Sequence, residues 1–483
     1  MLEKGRGALV VLADVLARWI RAPRERWSIP GTVCYFPTFP SREDLTNHYY
    51  RACWYAPRIA GRCDQVFLFQ SFERGQARPG PRPAHMGAPP PDTSHIMVRA
   101  GRLANLRTLV RCRVILIWRG GWWSRLLRVA DRLGFGIVNV DTDDPRAIEY
   151  GNYCSLIWKQ LLPAVEKHAV LAESRRRFRE VAARVARRGA RRACVLGTGP
   201  SLEEAYEFDF SDAVIIVCNS SVQDARLLNH VRPAFVVAAD VVSHFGVSRY
   251  AHKFREDLVR VLRERDVVFV TVATFGYLFV LHHPEVADRV IFVNQTWKGA
   301  NYDLLEDFRA ARLDSIMNIL MLPLAATFAR EIHLLGCDGK SADRSNEDFW
   351  AHAAGAQYHD LVVTGHLCHP TFDGNRRRGT YERYRRSIEE TIRTGERKHG
   401  IVYRCLRPSS IPIFRNRYLA AEGSDRDRSR GPRGGPAPAG RSPRGTLAEA
   451  AGACGNAPVE GPARRVDGAV PETSGKARET RGE

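Results

Sequence analysis

The stretch CVLGTGPSLEEA, residues 194–205, decides the fold because a glycine turn in it joins an apolar strand to a helical pattern. Gly197 and Gly199 allow a tight turn in which the backbone can approach a ligand closely. Pro200 suits the first position of a helix, and Ser201 offers a hydroxyl beside it. A helix start directs free N–H groups and the positive end of its dipole toward such a turn. The stretch therefore predicts an anion-binding turn at the edge of a parallel sheet, and the alternative is a plain strand-to-helix turn whose glycines are structural.

Apolar runs alternate with helical patterns on both sides of this turn. We predict a long helix over 163–191 and strands over 31–39, 65–71, 113–118, 136–141, 193–197, 213–219, 234–239, 267–272, 289–294, 331–338 and 401–406. This alternation is typical of βαβ units, and continuous apolar runs suit parallel strands that are buried on both faces. We therefore predict an α/β fold with two Rossmann-like domains, each built on a parallel doubly wound sheet.

Changes in composition divide the chain into five parts. They are an amphipathic N-terminal helix (1–27), a small Rossmann-like domain (28–165), a connecting helix (166–190), a second Rossmann-like domain (191–418) and a basic tail (421–483). Residues 75–94 are rich in Pro and Gly and form a predicted solvated loop within the first domain. The tail cannot bury enough apolar surface to offset the entropy lost on ordering, so we predict that it is disordered.

The chain of 483 residues carries a net charge of +20, and nearly all of the excess positive charge comes from arginine. Such a charge favours anionic partners such as nucleotides, phosphorylated lipids or acidic glycans. A general bias toward arginine, together with the basic tail, explains the same charge without any partner. Aromatic residues are not interleaved with the basic ones in an RNA-binding pattern, so we predict no nucleic-acid partner.

The cysteines and the N-terminus bear on the cellular compartment. The eleven cysteines form no CxxC pair, which favours buried thiols of a reducing compartment over a disulfide framework. No apolar run is long enough to span a bilayer. Residues 8–27 are amphipathic, but Asp14 interrupts their apolar part, so they do not resemble a signal peptide. We predict a cytoplasmic protein whose N-terminal helix packs on the first domain or, alternatively, contacts the inner membrane peripherally.

The residue after the second strand of the second domain distinguishes between classes of nucleotide. A dinucleotide-binding fold would place Asp or Glu there to hold a ribose, whereas this chain has Asn219. The third glycine of the dinucleotide fingerprint is also missing, because Glu203 and Glu204 follow Leu202. Both departures argue against NAD. An asparagine offers a donor and an acceptor together and therefore suits the edge of a neutral base or sugar.

Three motifs, in this order and spacing, resemble the bacterial sialyltransferases that use CMP-sialic acid. They resemble equally the related motility-associated (Maf-type) flagellin glycosyltransferases, and the same core is similar to archaeal 6-hydroxymethylpterin diphosphokinases. The motifs are GTGPSLEEA (197–205), VIIVCNSS (214–221) and ARLDSIMNILMLPLAATFAREIHLLGCD (311–338). The resemblance covers about residues 190–415 and implies that the second domain binds a nucleotide.

The resemblance implies a nucleotide-sugar site that several strand ends share. Asn219 matches the family's asparagine after the second strand, Ser315 its helix-start serine, and Asp338 the Gly-x-Asp aspartate that holds ribose hydroxyls. The resembled family has asparagine at two positions where this chain has Thr198 and Asp240. These departures leave the identity of the sugar nucleotide open. The complete predicted set is Gly197, Thr198, Gly199, Pro200, Ser201, Asn219, Asp240, Ser315 and Asp338.

The resemblance also implies a catalytic histidine on a loop. The stretch TGHLCHPTFDGN, residues 364–375, offers His366 and His369. We rank His369 first as the general base, because a proline and a predicted helix over 378–399 follow it, and His366 second. Two other interpretations are a metal site that includes Cys368 and a pair of ordinary loop histidines. The resemblance implies no metal and no cofactor, only a sugar nucleotide such as a CMP-nonulosonate as co-substrate.

The function implied by the resemblance is a sialyltransferase-like, metal-independent and inverting transfer of a sugar to a hydroxyl. The predicted partners are the nucleotide sugar and a glycan or protein acceptor. Two alternatives stay open. A pterin-type diphosphokinase would use the first loop for ATP and would hold Mg²⁺ through Asp240 and Asp338. A non-catalytic module of a surface-polysaccharide system would bind a nucleotide without turning it over.

Overall fold

The computed structural model describes six segments of the chain, all of which belong to one compact unit. These segments are 29–72, 78–121, 136–313, 315–340, 351–372 and 380–419. The N-terminal helix predicted over 1–27 and the disordered tail predicted over 421–483 lie outside the described residues. Within the described segments, no helix combines the length and the apolar character needed to cross a membrane.

The first sheet has five parallel strands in the order β3-β2-β1-β4-β5. They are β1 (Ile29–Phe36), β2 (Gln65–Gln70), β3 (Ile96–Ala100), β4 (Cys112–Ile117) and β5 (Gly136–Asn139). The direction of winding reverses between β1 and β4, as in doubly wound folds. The apolar runs predicted four of these strands. The edge strand β3 was missed because its sequence, IMVRA, has an apolar run of only three residues and most of the strand is partly accessible.

The second sheet has eight strands, all parallel, in the order β11-β10-β9-β8-β7-β6-β12-β13. They are β6 (Arg192–Leu196), β7 (Ala213–Cys218), β8 (Phe235–Val237), β9 (Val268–Val272), β10 (Val290–Thr296), β11 (Arg309–Ala311), β12 (Glu331–Leu335) and β13 (Val402–Cys405). Its winding reverses between β6 and β12. The three-residue edge strand β11 was not predicted, because it is too short to give a pattern.

Helices connect the parallel strands. The described α-helices are α1 (Arg42–Tyr55), α2 (Arg102–Arg111), α3 (Glu149–Cys154), α4 (Ala164–Ala186), α5 (Ala225–Val231), α6 (Arg249–Glu264), α7 (Ala273–His282), α8 (Leu322–Phe328), α9 (Val362–Cys368) and α10 (Thr380–His399). The predicted helices over 163–191 and 378–399 correspond to α4 and α10. Together with the two sheets, they confirm the predicted α/β fold class.

The central strands are apolar throughout because both faces of the second sheet are covered. Side chains alternate between the faces of a strand, and β6 places Cys194 and Leu196 in the core shared with the first sheet. Ala193 and Val195 point into a second core on the opposite face. Burying each valine or leucine contributes roughly 1.5–3 kcal/mol of stability. The ten described cysteines are all buried, as predicted, and none of them is paired in a disulfide.

Helix α1 joins the two sheets into one core. The Trp54 indole N–H donates to the Phe245 carbonyl over 2.8 Å. The same indole stacks on His282, with ring centroids 4.0 Å apart, and the Arg255 guanidinium lies 3.7 Å above it. These contacts hold α1, which lies between β1 and β2, against α6, α7 and the turn after β8 of the second sheet.

Candidate functional site

A cleft of about 820 Å³ opens along the carboxyl edge of the eight-stranded sheet. Ligands of open α/β sheets bind outside the carboxyl ends of the strands, at the point where the winding reverses. This cleft includes the reversal between β6 and β12 and extends to β11. The predicted site residues that line it are Gly197, Thr198, Gly199, Asn219, Asp240, Ser315, Asp338 and His366. The other three, Pro200, Ser201 and His369, are not among its lining residues.

The two turns at the reversal point pack directly on each other. The Gly197 N–H donates to the Leu335 carbonyl, and the Gly199 N–H donates to the Gly336 carbonyl, each over 2.8 Å. A Cβ atom on Gly197 would lie 2.3 Å from the Gly336 oxygen. Glycine is therefore required at this position by the neighbouring turn of β12, independently of any ligand.

The carboxylate of Asp338 occupies the helix start at which we predicted an anionic ligand. It accepts hydrogen bonds from the Ser201 hydroxyl over 3.0 Å and from the Ser201 N–H over 3.2 Å. Burial raises the pKa of Asp338, although the bonds from Ser201 oppose that rise. The Ser201 N–H at this helix start therefore already bonds to the protein's own carboxylate, and a bound anion at the turn stays a prediction. Pro200 and Ser201 belong to this turn but do not line the cleft.

Asn219 lines the cleft and carries a buried polar atom that is unpaired among the described residues. It follows β7 with a left-handed backbone, at a φ of 53°, a conformation that asparagine adopts more readily than most residues. Its Oδ1 is buried and has no hydrogen-bond partner among the described residues. A buried acceptor left unpaired costs roughly 1–3 kcal/mol. A ligand that donates a hydrogen bond to this oxygen removes that cost.

Asp240 shapes the turn that follows β8. Its Oδ1 accepts hydrogen bonds from the Val242 N–H over 2.9 Å and from the Ser243 N–H over 2.6 Å. The Asp240 N–H in turn donates to His244 Nδ1 over 3.1 Å, which places the imidazole proton on Nε2. Burial lowers the pKa of His244 to about 4, so this cleft residue is neutral near pH 7. Sequence reasoning missed His244, since only the folded turn brings it to the cleft.

Ser315 lies at the start of an irregular helix on the cleft wall. Its hydroxyl accepts from the Asn318 N–H over 3.4 Å. The helix then forms a π-helical turn over Met317–Met321 before α8 begins. Such turns are frequent at functional sites. The predicted helix-start role of Ser315 thus has a structural counterpart, whereas its neighbour Asp314 lies outside the described residues.

The structure reverses our ranking of the two histidines. His369 is completely buried, and its ring nitrogens lie 3.0 Å from Glu149 Oε1 and 3.0 Å from the Tyr55 hydroxyl. His366, on the last turn of α9, is half-buried and lines the cleft. His366 is therefore placed to touch a ligand, whereas His369 is placed to hold α9 against the segment from the first sheet.

A buried chain of hydrogen bonds runs through His369. Burial alone would raise the pKa of Glu149, but hydrogen bonds from His369 and Thr371 outweigh it and lower that pKa. Burial also lowers the pKa of His369. We infer an ionised Glu149 and a neutral His369 that accepts from the Tyr55 hydroxyl. That hydroxyl in turn accepts from the Val247 N–H over 3.1 Å, so four segments of the chain meet here.

The alternative metal site at His366, Cys368 and His369 has no geometric support. Both ring nitrogens of His369 already have partners, and the Cys368 thiol lies 3.6 Å from the His85 carbonyl, away from the cleft. Across the described segments, no group of three or more His, Cys, Asp or Glu side chains is placed to hold a metal ion.

Sequence reasoning also missed three residues at the far end of the cleft. Lys159 comes from a π-helical turn over Ile157–Leu161, and Trp297 and Arg312 follow β10 and β11. The Arg312 guanidinium lies 4.6 Å above the Trp297 ring. Because these residues stand in separate parts of the chain, no local motif joins them.

Comparison with known proteins identifies no relative of this chain. No protein-family model, no curated protein and no solved structure matches this chain. The fold therefore rests on the strand order and register described above. The resemblance to the sialyltransferase core rests on the three sequence motifs and stays a prediction.

Proposed function

We propose that this chain is a glycosyltransferase that binds a cytidine nucleotide sugar in the cleft and transfers the sugar to a hydroxyl group. One observation carries the proposal: residues from all three distant motifs line a single cleft at the reversal point of the sheet. They are Gly197, Thr198, Gly199, Asn219, Ser315 and Asp338. A cleft of this volume suits a nucleotide-sized ligand.

The donor nucleotide would lie across the ends of β12, β6 and β7. The unpaired Asn219 Oδ1 suits the exocyclic amino group of cytosine, which donates hydrogen bonds. Asp338 would accept from ribose hydroxyls with the lone pairs that Ser201 leaves unused. Thr198 stands where the resembled family has asparagine. Its hydroxyl oxygen lies 2.9 Å from His352 Nδ1. Burial lowers the pKa of His352 to about 4, so this contact places a neutral imidazole on the cleft wall.

The transfer itself would need a base and a leaving group. His366 would accept the proton of the acceptor hydroxyl while the acceptor oxygen bonds to the anomeric carbon of the sugar. The bond from that carbon to the phosphate oxygen would break at the same time, and CMP would leave. Attack opposite the leaving phosphate inverts the configuration. A neutral imidazole is suited to this task near pH 7.

Titration calorimetry on the full chain with CMP and with ATP, each with and without Mg²⁺, tests the proposal. We expect CMP to bind equally well without metal and ATP to bind much more weakly. Tight binding of ATP only with Mg²⁺ would contradict the proposal in favour of a diphosphokinase. Binding of CMP without release of CMP from a CMP-sugar would favour a non-catalytic module.

A further inference from the structure

The order of the strands fixes the order of side chains along the cleft. Asn219 comes one residue after β7, and Arg312 comes one residue after β11. These strands are four positions apart in the sheet, and neighbouring strands lie about 4.8 Å apart, so their ends are separated by about 19 Å. A nucleotide held at β12, β6 and β7 therefore leaves the β10–β11 end of the cleft open for a second ligand.

Two cationic side chains stand at the β10–β11 end of the cleft, and no described acid compensates their charge. Lys159 and Arg312 both line the cleft, and neither forms an ion pair with a carboxylate of the described segments. Partial burial, and then repulsion by Arg312, lower the pKa of Lys159. Two cations that face one cavity and repel each other favour an anion between them.

Trp297 gives the same end of the cleft an aromatic surface. It follows β10, lines the cleft and is 83% exposed, so the hydrophobic core does not explain its position. The Arg312 guanidinium above its ring steadies the indole. A large flat ring of this kind offers contact area to another ring at a low cost in conformational entropy.

His366 lies between the nucleotide end and the β10–β11 end of the cleft. A Cβ atom on its neighbour Gly365 would lie 3.4 Å from the Val242 side chain, which belongs to the turn after β8. Strand β8 stands between β7 and β10 in the sheet. Helix α9 therefore places His366 between the nucleotide end and the cationic end of the cleft.

We propose that Lys159, Trp297 and Arg312 form an acceptor subsite that selects an acidic saccharide. The sugar ring packs on Trp297, and its carboxylate or phosphate lies between the two cations. The subsite rests on the proposed function, because it places the acceptor hydroxyl across His366 from the donor nucleotide. The net charge of the chain, +20, favours the approach of the same class of molecule.

Binding of three matched sugars to the full chain tests the subsite. Glucose, glucuronic acid and glucose 6-phosphate share one ring, and their affinities can be measured by ligand-observed NMR at low and high salt. We expect at least one of the two acids to bind about tenfold tighter than glucose, with an advantage that salt reduces. The acid that gains the larger advantage identifies the anionic group as carboxylate or phosphate.

Substitutions locate the binding. Lys159→Gln and Arg312→Gln should each weaken binding of the preferred acid about tenfold, and Lys159→Gln should leave the affinity for glucose unchanged. Trp297→Ala should weaken binding of all three sugars. Arg226→Gln is the matched control, because Arg226 also lies over an aromatic ring, 4.4 Å from Tyr206, but does not line the cleft. We expect it to bind all three sugars like the unmodified chain.

Equal affinity for glucose and both acids, or unchanged acid binding in Lys159→Gln and Arg312→Gln, would overturn the subsite. A CMP titration of the same samples separates this result from the proposed function. If CMP does not bind while the acids bind as expected, the nucleotide proposal fails and the anionic sugar subsite stands. If CMP binds and the acids show no preference, only the subsite fails.

Discussion

At the scale of single residues, Asn219 shows how an unsatisfied atom points to a ligand. Its backbone is left-handed and its amide oxygen is buried without a described partner. Both features cost stability when no ligand is bound. They are explained if a ligand donates a hydrogen bond to that oxygen. From the sequence alone, an asparagine after a strand indicated only that the dinucleotide pattern was broken.

We expect Asn219→Gly to weaken CMP binding about tenfold, which is the usual size of one lost hydrogen bond in a buried site. Glycine keeps the left-handed backbone without strain, so the melting temperature should not fall substantially. Calorimetry and thermal unfolding measure the two effects. Asn229→Ala, at an exposed position of α5 outside the cleft, is the control. An unchanged CMP affinity in Asn219→Gly would remove this residue from the site.

The two histidines should separate catalysis from stability. His366→Ala should lower turnover by roughly 10²–10⁴-fold, the usual contribution of a general base, while CMP binding and stability stay unchanged. His369→Ala leaves the buried Glu149 without its imidazole partner, so it should cost about 3–5 kcal/mol of unfolding free energy. Steady-state rates and chemical unfolding distinguish the two outcomes.

Tyr55→Phe is a milder control for His369, because it removes the hydroxyl at Nε2 and keeps the ring in the core. We expect a loss of stability with little change in rate. An inactive but fully stable His369→Gln would contradict this assignment and would restore His369 as the base.

At the scale of elements, the turns after β6 and β12 act as one unit. Gly197→Ala brings a Cβ atom within 2.3 Å of the Gly336 oxygen, and such overpacking costs about 1–3 kcal/mol. We expect a lower urea midpoint for this variant. Gly299→Ala is the matched control, since a Cβ at that position meets nothing within 4 Å. Equal midpoints for Gly197→Ala and the unmodified chain would show that the turns are not packed as described.

Local patterns predicted the elements that are buried on both faces and missed those at the edges. Strands β6 to β10 were found because their apolar runs are continuous, whereas β3 and β11 are accessible or short. The glycine turn was located correctly, but the sequence did not show that packing against the turn after β12 already requires glycine at position 197. No local pattern shows that β12 returns beside β6 and places Asp338 at the helix start. In the same way, spacing alone did not show that His366 faces the cleft while His369 faces the core.

At the scale of the whole molecule, buried neutral histidines make the fold sensitive to acid. Burial lowers the pKa values of His48, His244 and His369, and the value for His244 falls to about 4. The unfolded chain binds these protons near pH 6.5, whereas the folded chain does not. The stability they contribute is therefore complete above pH 6.5 and is lost as the pH falls below it.

We expect the unfolding free energy to drop between pH 6.5 and pH 4, with His244 alone contributing up to about 3 kcal/mol. Chemical unfolding across this range measures the drop. His244→Asn should make the pH dependence shallower, because the variant has one proton fewer to bind on unfolding. A pH-independent unfolding free energy would contradict the neutral state assigned to these rings.

The central claim is that a cytidine nucleotide binds where the winding of the eight-stranded sheet reverses. Hydrogen–deuterium exchange of the full chain with and without CMP tests this claim most directly, because it reports which backbone segments the ligand protects. We predict protection in the turns after β6, β7 and β12, over 197–201, 219–223 and 336–340, and unchanged exchange in the first sheet. Protection confined to the first sheet, or no protection at saturating CMP, would contradict the claim.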